Sequence, residues 1–148
     1  MNPELHKFKL ETVDHIGIVV EDAEKVSETW QKMFGIEPWT FVNNTGTDAE
    51  GNPIDVKLGF AYLGDLELEL IEVTKGKILH SEYLKEHGEG LHHLGFFVDD
   101  VDGEAANLVK QGAEIIIQSP GQWIYLDSGG PGGVIFELMQ RRGKITGK

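Results

Sequence analysis

Cysteine is absent from all 148 residues, which excludes both a disulfide framework and a thiolate metal site. Any metal must then be held by nitrogen and oxygen. Arginine is nearly absent: Arg141 and Arg142, side by side, are the only two. Twenty-five acidic residues against thirteen basic ones leave a net charge of -12, and so acidic a chain repels a phosphate backbone. No run approaches the roughly 18 apolar residues of a membrane span, and the opening MNPELHKFKLETVDH has no apolar signal core. The expectation is a cytoplasmic protein with neither nucleic acid nor membrane as partner.

What the chain does have is a folded composition, 40% hydrophobic and 26% charged. Its nineteen glycines gather at turn positions such as Gly129-Gly130-Pro131-Gly132-Gly133, favouring short strands over long helices. The β-branched run Val13 to Val20 predicts a strand. Ala23, Val26, Trp30, Met33 and Phe34 then recur at helical spacing before Gly35, with Trp30, Met33 and Phe34 read as core. A strand is predicted over 36–42, a polar loop over 43–53, and a hairpin of 54–63 and 66–73 around Gly64-Asp65. Residues 75–90 read as a linker with one short helix.

The pattern then restarts: strand 91–98, helix 101–111, strand 114–118, and a hairpin of 122–127 with 134–140. His15-Ile-Gly-Ile-Val-Val-Glu-Asp matches His93-Leu-Gly-Phe-Phe-Val-Asp-Asp position by position, and LELELIEV matches VIFELMQ as a closing strand carrying a carboxylate among apolar residues. The expected organisation is one domain, 12–141, made of a first βαβββ module at 12–74 and a second at 91–141, joined by the linker 75–90. Its fold class is α+β, a curved, half-barrel-like mixed sheet around a metal cavity.

Strand alternation puts His15 on a face with Gly17 and Val19, His93 with Gly95 and Phe97, Glu69 with Glu67 and Ile71, and Glu137 with Ile135 and Met139. A carboxylate buried among apolar neighbours requires a cation or a strong donor. Two imidazoles and two carboxylates suit a divalent ion, Co, Ni, Zn, Mn or Fe, and leave positions open to substrate oxygens. His92 points to the face opposite His93 and reads as a surface or interface histidine. His6, His80 and His87 read as solvated, Glu67 as an exposed charge at the hairpin end, and the basic tail Arg141, Arg142, Lys144 and Lys148 as solubilising the terminus.

With these residues in place, DHIGIVVEDAEK, ELIEV, GEGLHHLGFFVDDVD and GGVIFELMQ resemble the vicinal oxygen chelate superfamily, which groups glyoxalase, bleomycin-resistance and extradiol dioxygenase proteins. Within it the chain is most similar to the methylmalonyl-CoA epimerases. The resemblance implies metal ligands at His15, Glu69, His93 and Glu137. It also implies proton transfer next to a carbonyl through a metal-stabilised enolate, Glu137 as a catalytic base, an acyl-CoA thioester substrate and a homodimer. Some relatives carry a second glutamate on the third strand. The strand Asp55 to Tyr62 has no central carboxylate, so the second base is open, with Glu67 and Glu69 at hand. A glyoxalase I-like lactoylglutathione lyase would use the same four ligands, but recognition of glutathione's carboxylates favours arginine forks, and none precedes position 141. An extradiol dioxygenase needs one carboxylate fewer. A metal-free, bleomycin-resistance-like binding protein suits the acidity but leaves the four ligands without purpose.

Overall fold

Both repeats form, and they form alike. In the computed structural model of the chain, which describes residues 8–146, the elements are β1 (His15–Val19), α1 (Ala23–Phe34), β2 (Thr40–Thr47), β3 (Pro53–Leu63), β4 (Leu66–Lys75), α2 (Leu79–His87), β5 (Gly90–Val98), α3 (Val101–Lys110), β6 (Glu114–Ser119), β7 (Trp123–Asp127) and β8 (Phe136–Gln140). This is βαβββ twice, with α2 in the linker, and the fold class is α+β. The chain divides into two compact units, residues 15–92 with 144–146 and residues 8–14 with 93–143.

In the first unit the strand order is β2-β3-β4-β1, antiparallel throughout except for the parallel pair β1 and β4. In the second the order β6-β7-β8-β5 repeats it, with β5 and β8 parallel. Local chemistry repeats as well. Asp22 caps α1 by accepting from the Lys25 backbone N–H at 3.1 Å, and Asp100, seven residues after His93 as Asp22 is after His15, caps α3 through Gly103. Gly35 ends α1 in the left-handed region at φ 68°, its N–H returning to Gln31.

Each unit has its own core, and strand alternation decides what enters it. Ile18, Val20, Ala23 and Leu70 form one, while Phe96, Val98, Val101, Ala105, Ile124, Leu126 and Leu138 form the other. Ile18 and Val20 alternate with His15, Gly17 and Val19. Leu70 alternates with Glu69 and Ile71, Phe96 with His93 and Gly95, and Leu138 with Glu137. In both units the apolar face takes the helix and the opposite face carries the histidine and glutamate.

Three expectations are corrected. Met33 and Phe34 are each 66% exposed. The inner face of α1 is Ala23, Val26, Ser27 and Trp30, and the helix is already ending where Met33 and Phe34 fall. The predicted strand 36–42 starts instead at Thr40, because Pro38 has no N–H to donate and Trp39 folds back, its indole N–H donating to the Ile36 carbonyl at 2.9 Å and its ring packing on Trp30. The strand then runs on through the supposed loop to Thr47, paired residue by residue with Pro53–Phe60. The loop shrinks to a turn closed by the Asp48 carboxylate, which accepts from the backbone of Glu50 at 2.9 Å and of Asn52 at 2.8 Å.

The Asn52 backbone and side-chain donors hold the Asp48 carboxyl below its ordinary value. A depressed folded value means that this contribution is present above the unfolded pKa and is lost as pH falls through the folded one. Asp48→Ala is therefore expected to speed hydrogen exchange at the Glu50 and Asn52 amides while leaving the amides of β4 unchanged.

Candidate functional site

The two halves of the expected ligand set are each assembled within their own unit. In the first, β1 and β4 run parallel with His15 beside Glu67 and Gly17 beside Glu69. His15 is fully buried and Glu69 half-buried, and the two offer ligand atoms within 4.8 Å of each other. In the second, β5 and β8 place Gly95 beside Glu137, so that His93 Nε2 lies 3.0 Å from Glu137 Oε1, both residues being buried. The spacing is the same twice, because each Glu sits beside the glycine two residues after its His. That glycine has no side chain to separate the imidazole from the carboxylate.

Tyr125 completes the second half. It is the cross-strand partner of Glu137, it is buried, and its ring centroid lies 4.8 Å from that of His93. In the first half the corresponding partner of Glu69 is Phe60, also buried. A hydroxyl therefore stands beside one glutamate and a plain ring beside the other. Burial keeps water from the Glu137 carboxylate, and a desolvated carboxylate is a strong ligand for a cation.

Glu67 is the main correction. Expected at the solvent edge, it is 2% exposed and accepts a hydrogen bond from the Tyr62 hydroxyl at 2.8 Å. The sequence does carry the signal. A two-residue turn at Gly64-Asp65 pairs Leu63 with Leu66 and hence Tyr62 with Glu67. His92, read as a surface or interface histidine, is not at the surface. It is buried against α2, its ring 4.7 Å from His80 and 4.9 Å from Tyr83. His80 is accordingly half-buried rather than solvated, whereas His87 is exposed and stacks on Tyr83. In the basic tail Arg141 meets Asp99 at 2.7 Å, Arg142 lies over the Phe97 ring, and Lys144 meets Asp65 at 3.4 Å. His6 and Lys148 lie outside the described residues.

Residues 14–125 match the model of the Glyoxalase/Bleomycin resistance protein/Dioxygenase superfamily. The chain belongs to that superfamily. A similar curated protein is the uncharacterized protein YqjC of Bacillus subtilis (strain 168), 25% identical over 138 residues, 88% of this chain and 93% of that protein. Among solved structures, a Streptomyces coelicolor methylmalonyl-CoA epimerase variant in complex with 2-nitronate-propionyl-CoA is similar at TM-score 0.70 and 26% identity, over 91% of this chain and 100% of that one. A methylmalonyl-CoA epimerase in complex with methylmalonyl-CoA and NH4+ is similar at TM-score 0.69 and 26% identity, over 89% and 95%. This superfamily member thus shares its fold with epimerases that bind acyl-CoA thioesters. No helix among the described residues is long and apolar enough to cross a membrane.

Proposed function

We propose that the chain is a metal-dependent isomerase of the methylmalonyl-CoA epimerase type, in which His15, Glu69, His93 and Glu137 are the protein ligands of one divalent ion. The observation that carries this reading is that each repeat brings a buried histidine and its matched glutamate together on the face turned away from its core. The donor set fits such an ion: neutral nitrogen and anionic oxygen, without sulfur, suit Co, Ni, Zn, Mn or Fe, and the negative charge of the glutamates needs a cation to offset its burial. When bound, the ion supplies Lewis-acid stabilisation of the negative charge that develops on a carbonyl oxygen.

The proton is the protein's own task. Glu137 takes it from the carbon between the two carbonyl groups of the thioester, its carboxylate lying 3.0 Å from His93 Nε2 and flanked by Tyr125. On the face of Glu69 the neighbouring strands present Thr40, Val42, Leu58, Phe60 and Tyr62, so β2 and β3 offer that face no carboxylate. Glu69 and Glu67 are the acidic groups at hand for returning a proton. The substrate class is supported by the acyl-CoA ligands of the two similar epimerases. A cytoplasmic homodimer belongs to the same reading.

Deuterium exchange at C2 of methylmalonyl-CoA in heavy water tests the assignment. The metal-loaded protein is expected to catalyse exchange, and the chelator-treated protein to lose it. Isomerisation of a glutathione thiohemiacetal without C2 exchange would replace the epimerase reading with a lyase on the same ligands.

A further inference from the structure

The two imidazoles of the candidate centre do not have equivalent neighbours. In the second repeat the position beside His93 falls to Ile135, the residue just before β8, as the Leu94 and Phe136 pairing requires. In the first, the matching position beside His15 is Glu67. His15 and Glu67 are Cα partners on parallel strands, their side chains leave the same face, and they are 0% and 2% exposed. Glu67 is in turn held from its other side. The Tyr62 hydroxyl donates to Oε2 at 2.8 Å, and the Ile145 backbone N–H donates to that hydroxyl oxygen at 2.7 Å. Lys144 Nζ lies 5.0 Å from the centre of the Tyr62 ring.

A carboxylate at this depth requires more than one neutral hydroxyl to offset its desolvation. The imidazole paired with it across the parallel strands can supply a further N–H. We propose that Glu67 is a positioning residue for His15: it accepts one ring N–H, fixes the tautomer, and leaves the other ring nitrogen as the ligand atom. A carboxylate behind a ligating histidine sets ring orientation and raises ligand basicity. The Tyr62 hydroxyl, which accepts from the Ile145 backbone N–H, holds Oε2 of the same carboxylate.

The inference rests on the metal reading for its purpose but not for its test. In the metal-free protein, long-range proton-nitrogen NMR of the histidine rings is expected to show His15 in a single neutral tautomer, and Glu67→Gln to turn it into a mixture. Cobalt(II) titration of the same proteins is expected to give one ion per chain in both, with about a 10- to 100-fold weaker Kd in Glu67→Gln and a shifted visible spectrum. Tyr62→Phe, which keeps the carboxylate, is expected to shift both readouts in the same direction by less. An unchanged tautomer in Glu67→Gln overturns the proposal whether or not cobalt binds. Loss of stoichiometric cobalt from that variant also overturns it, because Glu67 would then be a ligand itself. Wild-type protein that shows the tautomer effect but takes up no cobalt supports the positioning of His15 and sinks only the metal reading.

Discussion

Glu137→Gln is expected to slow C2 deuterium exchange by about a hundred- to ten-thousand-fold, the range a positioned proton-transfer group contributes, and to weaken metal binding as well. The same substitution is expected to leave the metal-free protein as stable as the wild type or more so. Glu137 is 5% exposed, and removing a buried charge removes its desolvation cost, while the amide oxygen still accepts from His93 at the position where Oε1 stands 3.0 Å away. Opposite signs for activity and stability are the signature of a group kept for function. Thermal melts of the metal-free proteins beside exchange rates of the loaded ones check both halves. A structural Glu137 would instead lower stability and leave exchange in proportion to the folded fraction.

One residue further along β8 the prediction reverses. Leu138 is fully buried in the core of its unit, packed with Phe96, Ile124 and Leu126 on the face that takes α3. Leu138→Ala is expected to cost about 2–5 kcal/mol of stability, the transfer and cavity terms acting together. The folded fraction is expected to retain one metal ion per chain, since the cavity opens on the opposite side of the strand from Glu137. Denaturant unfolding and metal analysis of the same preparation separate these. Unchanged stability would mean that the two faces of β8 have been assigned the wrong way round.

Those two neighbours show how much of the protein was legible in its letters. Strand alternation in two matched octapeptides was enough to put His15 and His93 on one kind of face and Ile18 and Phe96 on the other, so the repeat, the α+β class and the within-repeat pairing of each His with its Glu followed from sequence alone. Glu67 departs from its expected exposure because nearness to a hairpin end does not decide burial, and the register of that hairpin sets Tyr62 directly across from it. His92 departs from the surface reading because periodicity tells which face a side chain leaves from, not what covers that face. It took α2, a short helix in the linker, to bury it. Met33 and Phe34 keep the helical period past the point where α1 is covered, and a period says nothing about where a neighbour stops.

Residues distant in sequence carry the rest of the account, and a metal measurement reaches them most directly. Equilibrium binding of a divalent ion to chelator-treated protein, with elemental analysis of the complex, is expected to give one ion per chain, and His15→Ala and His93→Ala are each expected to abolish stoichiometric uptake although they lie in different repeats. Wild-type protein that takes up no ion, or either variant retaining a full equivalent at wild-type affinity, would contradict the claim that both repeats serve a single metal centre.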